Sequence, residues 1–183
     1  MIVPEPDRAT IAAAAARRGL DVEEVREDSR GTTWRVTVVV DGDDGAPLDL
    51  LTELSHELDP LAERWGGPSR AVTLEVTSRG VDAALTEPRH WRRARGRSVE
   101  LRWAPGATGP ERARVGDVDE RAGTVRLVHS VKGRRPKAGT VALDSVAHAV
   151  VRVEFSPAPE AELELLSEPG GASRNGTTEG TER

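Results

Sequence analysis

The side chains best suited to acid–base or metal chemistry are four histidines, and their spacing supports neither. His56, His90, His129 and His148 are scattered along the chain. None stands at a metal-ligand interval from another histidine or from a pair of carboxylates. The sequence has no phosphate loop and no dinucleotide fingerprint, and Ser78-Arg79-Gly80 lacks the first glycine of a nucleophile elbow. Asp41-Gly42-Asp43-Asp44-Gly45 begins like a calcium loop but has no distal glutamate at the required interval. Without cysteine there is neither a disulfide framework nor a thiolate metal site. The expectation is a protein that is not an enzyme, with no catalytic residue, no metal site and no cofactor.

What remains is cationic. Arg89, Arg92, Arg93, Arg95 and Arg97 surround His90 and Trp91, and Lys132, Arg134, Arg135 and Lys137 crowd the stretch Val131–Ala138. Groups of this kind neutralise phosphates and release counterions, which makes their affinity fall steeply with salt. They could equally be a solvated surface, because charge alone carries no sequence specificity. If exposed, Trp91 could stack on a base; a tryptophan at a domain junction more often packs between domains.

Charge is partitioned along the chain. Residues 1–70 hold 15 acidic and 8 basic side chains, a net of -7; residues 71–153 hold 9 and 16, a net of +7; residues 154–183 hold 7 and 2, a net of -5. This pattern points to a polyanion-facing middle segment. Arginine greatly outnumbers lysine, which is present only at positions 132 and 137. A GC-rich coding bias would give the same excess, so it says little about arginine-specific chemistry. No apolar run approaches the ~20 residues of a membrane helix, and Met1–Arg8 does not read as a signal peptide. The expectation is a cytoplasmic protein, not bound to a membrane, and a monomer.

These cations need elements to place them. Asp7 suits a helix cap, Ala9–Arg18 is alanine-rich, and Gly19 suits a helix stop. Leu20, Val22 and Val25 predict an edge-type strand. Thr32–Val40 predicts the clearest strand, with a hairpin at Arg30-Gly31. Pro47 opens a helix whose Leu48, Leu51, Leu54, Leu58 and Leu61 fall on one core-facing side, and Pro60 should kink or end it. Ala71–Thr77 alternates as a third strand. Helix–strand–strand–helix–strand makes an α+β layer. Pro88–Ala94 offers one or two helical turns. Ser98–Trp103, Arg112–Val118, Thr124–His129, Gly139–Leu143 and His148–Val153 then predict a small β-barrel of SH3 or Sm type. The expected domains are residues 1–95, 96–157 and a largely disordered acidic tail, 158–183.

The order of several segments resembles the ribosome maturation factor RimP family. Leu74-Glu75-Val76-Thr77-Ser78-Arg79-Gly80-Val81-Asp82-Ala83-Ala84-Leu85 is similar to the family's L-E-V-S-S-P-G-[LV]-D-R-P-L, and Pro88-Arg89-His90-Trp91-Arg92-Arg93 to the basic, aromatic stretch after it. Leu143-Asp144-Ser145-Val146-Ala147 and Val150-Val151-Arg152-Val153-Glu154-Phe155 resemble its closing segments, and Val38-Val39-Val40-Asp41 with Leu48-Asp49 fits an earlier strand and helix start. The likeness spans roughly residues 7–155. Arg79, Ala83 and Ala84 replace the family's proline, arginine and proline. Gly80, Asp82 and Leu85 keep their places in the inter-domain turn, where Gly80 can supply a positive φ and Asp82 can accept backbone N–H bonds.

The resemblance implies a KH-like α/β N-terminal domain followed by an SH3/Sm-like barrel. It also implies a non-catalytic assembly factor that binds the free or immature 30S subunit through 16S rRNA and a small-subunit ribosomal protein. Arg79 joins the two basic groups as a candidate contact. The competing reading is a stand-alone RNA-binding module of Sm or elongation-factor type. A peptide adaptor is disfavoured, because tyrosine is absent and the barrel lacks an aromatic row.

Overall fold

The computed structural model describes residues 3–31, 33–66, 71–80, 82–131 and 134–167. The chain divides into two compact units, Met1–Ala83 and Ala84–Arg183. The first contains α1 (Glu5–Ala16), β1 (Leu20–Arg30), β2 (Thr33–Gly42), α2 (Leu48–Gly66) and β3 (Ala71–Ser78). The second contains α3 (Pro88–Arg93), β4 (Ser98–Trp103), β5 (Arg112–Asp119), β6 (Thr124–His129), β7 (Lys137–Ala142), β8 (Val146–Val151) and α4 (Glu160–Leu163).

In the first unit the sheet order is β1-β2-β3. β1 and β2 are antiparallel through a hairpin in which Gly31 has φ +62, and β2 and β3 are parallel. A parallel pair needs a crossover, and α2 supplies it. Central β2 is buried from Val36 to Val40, as expected of a strand flanked on both edges. Its valines meet Ile11, Ala14 and Ala15 of α1 and Leu54, Leu58 and Leu61 of α2 in one core. Leu54, Leu58 and Leu61 therefore pack as the leucine spacing predicts, with Leu51 partly buried against them, but Leu48 at the start of the helix is 76% exposed and does not face the core.

Two local expectations fail. Helix α1 begins after Pro4, not at Asp7; the Asp7 carboxylate instead accepts bonds from Trp65 Nε1 (2.6 Å) and Arg64 Nη2 (3.0 Å) of α2. Pro60 neither ends nor interrupts the assigned helix. Pro60 and His56, whose carbonyl loses its helical donor there, are both exposed, so water can take the place of the missing N–H.

The second unit carries a five-stranded antiparallel sheet, ordered β7-β6-β5-β4-β8. Val99, Leu101, Ala113, Val115, Val125, Leu127 and Ala149 form its core together with Trp91 and Ala94. The boundary thus lies between Ala83 and Ala84, not near residue 95. The reason is packing: Trp91 is 3% exposed in the second core, so the short arginine-rich helix that reads as a junction belongs to the sheet after it. Stacking of an exposed Trp91 on a base is excluded by the same burial.

The segment expected to be a disordered tail also differs over its described part. Residues 159–167 carry α4, and Glu162 and Leu166 are buried. Residues 168–183 lie outside the described residues.

Candidate nucleic-acid interface

The cationic stretch of residues 131–138 forms the connection between β6 and β7. His129 pairs with Lys137 at the base of this hairpin, and the Arg134 N–H donates to the Val131 carbonyl at 2.9 Å to close a turn. Arg134, Arg135 and Lys137 are exposed, and no ion pair engages them among the described residues. Lys132 lies outside the described residues. Three exposed cations on one strand connection, none in an ion pair among the described residues, form a concentrated positive surface.

The second basic group is differently placed. Arg92 Nε meets Glu120 at 2.6 Å, Arg95 Nε meets Asp117 at 2.8 Å, and Arg89 Nη2 meets Glu87 at 3.1 Å. Arg93 is half-buried, while Arg97 is exposed and lies near enough to Glu154 to act on its charge. The Arg92 and Arg95 pairs are half-exposed, and such pairs contribute only about 0.2–1 kcal/mol. A phosphate can compete with them, but each acid it displaces offsets part of the gain.

Helix α3 itself is well fixed. Buried His90 accepts at Nδ1 from the N–H groups of Glu87 (3.0 Å) and Thr86 (3.2 Å), and the Glu87 side chain accepts from the His90 N–H to complete a capping box. His90 is thus a capping residue.

The expected inter-domain turn is split. Gly80 and Asp82 belong to the first unit, where Ala83 N–H donates to the Gly80 carbonyl at 2.9 Å. Leu85 belongs to the second unit; its N–H donates to the Ala149 carbonyl at 2.8 Å and its side chain joins that core. Gly80 does not take a positive φ, so left-handed backbone is not why glycine stands there. Arg79 sits in the first unit, with Nε 3.9 Å from Glu23.

Arg114 carries no signal in the sequence that marks it as a centre. It is 3% exposed on β5, and four of its five N–H groups are used. Nη1 and Nη2 grip the Glu154 carboxylate, both at 2.7 Å; Nε donates to Glu162 at 2.9 Å; Nη1 also donates to the Gly96 carbonyl at 3.0 Å. The second oxygen of Glu162 accepts from the Ser130 hydroxyl. Around this centre, Arg126 Nε donates to the Leu165 carbonyl (2.7 Å) and Asp117 N–H to the Leu166 carbonyl (3.0 Å). Residues 159–167 therefore form a strap bound to β5 and β6.

Two results follow from the strap. A Cβ on Gly116 would lie 2.3 Å from the Leu166 carbonyl oxygen, a backbone atom that must then move. Gly116→Ala should expel the strap, and limited proteolysis should show new cleavage within residues 156–167 while the rest of the second unit stays resistant. The Arg114 guanidinium, bonded to Glu154, holds that carboxyl below its ordinary value of 4.5, although burial opposes the shift. A carboxyl lowered in the folded state stabilises it fully above the ordinary value and loses that contribution as pH falls through the lowered one. The difference in urea midpoint between wild type and Glu154→Gln should therefore be largest near neutrality and shrink on acidification to ~pH 3.

Among the described residues, no helix is long and apolar enough to cross a membrane. Residues 10–82 match the family model of the RimP N-terminal domain.

Proposed function

We propose, from the premise that this chain belongs to the RimP family through its N-terminal domain, that it is a non-enzymatic maturation factor for the small ribosomal subunit. In this reading it binds the free or immature 30S particle through 16S rRNA and a small-subunit ribosomal protein, in the cytoplasm and as a monomer. The family match over residues 10–82 is the observation that carries it. The first unit is taken as KH-like, in keeping with its α-β-β-α-β order, and the five-stranded second unit as an SH3/Sm-like barrel.

The division of labour follows from charge. Arg134, Arg135 and Lys137 would hold rRNA phosphates, with Lys132 beside them in sequence; Arg89, Arg92, Arg93, Arg95 and Arg97 would add contacts where a phosphate displaces an acid. The acidic first unit suits a cationic ribosomal protein. Two modest contacts on one chain bind more tightly than either alone. An assembly factor shifts a folding equilibrium only by preferring one state of the particle. In a sucrose gradient of cell extract, the protein should therefore migrate with 30S and pre-30S particles and be absent from 70S. Migration at the top of the gradient together with free transcripts would instead favour the stand-alone RNA-binding module.

A further inference from the structure

The buried Arg114 centre touches both basic groups of the second unit. Through Nη1 it holds the carbonyl of Gly96, which lies between Arg95 and Arg97. The same loop is tied to β5 by two further bonds, Gly96 N–H to the Val115 carbonyl (2.7 Å) and Val115 N–H to the Arg97 carbonyl (2.9 Å). Through Nε it holds Glu162, whose other oxygen accepts from Ser130, the residue immediately before the cationic turn. One guanidinium and one carboxylate thus connect the backbone that carries Arg95 and Arg97 to the root of the turn that carries Arg134 and Arg135.

We infer that Glu162 is a positioning residue which, through Arg114 and Ser130, holds the two cationic groups fixed relative to each other, so that the second unit binds a rigid RNA duplex in preference to a flexible single strand. The inference rests on the RNA-binding reading above and adds the class of RNA. A duplex presents its phosphates on a rigid frame and is recognised largely by shape and backbone contacts. A rigid pair of cationic groups meets that frame without reordering. A flexible strand adapts to cations at many spacings, so it gains less from the brace. The chemistry of Glu162 suits the task, because a carboxylate can accept from a guanidinium on one oxygen and a hydroxyl on the other.

The test uses the full chain, with fluorescence anisotropy on two probes of equal phosphate number: a short RNA duplex and a uridine oligonucleotide. Ser130→Ala removes the link to the turn and leaves the Arg114–Glu162 pair intact; Ser130 is exposed, so folding should persist, as circular dichroism can check. Duplex affinity should fall about 3- to 10-fold, the loss of one charge-assisted hydrogen bond, while the uridine probe changes less than about twofold. Ser130→Thr, which keeps the hydroxyl, should restore duplex binding. Equal losses on both probes, or no loss on either, would overturn the positioning role. Failure of the wild type to bind either probe would instead overturn the RNA reading on which it stands.

Discussion

Alanine at Arg114 is expected to destabilise the second unit by about 3–5 kcal/mol, because it strands the buried Glu162 carboxylate without its cation. Glu154 and Glu162 would each lose their guanidinium, and Glu162, 8% exposed, could not be rescued by water without moving the strap. The Gly96 carbonyl would lose its donor as well. Urea unfolding followed by amide exchange in β4, β5 and β6 should show the loss confined to the second unit, with amides of β2 unaffected. The double replacement Arg114→Met, Glu162→Leu should recover much of the loss, since an apolar pair of similar volume at the two buried positions avoids the desolvation cost of the ions. A loss below about 1 kcal/mol for Arg114→Ala would show that the network is solvated and contributes little.

The other large effect is on binding. Arg134→Glu, Arg135→Glu and Lys137→Glu together should lower affinity for 16S rRNA by at least about 100-fold at moderate salt and reduce the slope of log K against log salt by about one unit per cation removed. Stability should change little, because all three side chains are exposed. Charge reversal at Arg92 and Arg95 should have a smaller effect on binding, since in the free protein each already faces an acid, Glu120 or Asp117, that a phosphate must displace. That ordering separates a specific turn from a diffuse basic surface. Equal losses from the two sets would point to the diffuse surface.

What could be seen in the sequence was what is local. Strands β4 and β6 fall on their expected residues, and the hairpin at Arg30-Gly31 and the leucine face of α2 also follow from short-range pattern. The turn bearing Arg134 and Arg135 was legible for the same reason, being a charged run between two strands. The Arg114 network was not, because its partners are 40 and 48 residues away and nothing in the spacing links them. In the fold, Ala113, Arg114, Val115 and Gly116 are consecutive in β5 and all buried. A strand covered on both faces needs a second covering layer, and the strap provides it. The tail composition, rich in glutamate and proline, hid this. Leu163, Leu165 and Leu166 stand out as the last apolar cluster, but only Leu166 is fully buried. The boundary was misplaced because an arginine-rich helix reads as a linker until the burial of Trp91 assigns it to a core.

The most direct measurement is ultraviolet cross-linking of the full chain to pre-30S particles, followed by peptide mapping of the rRNA adducts. The account predicts adducts concentrated in residues 130–137, with weaker ones at 89–97. Adducts confined to residues 1–83, or particles that bind the chain without any rRNA adduct in the second unit, would contradict it.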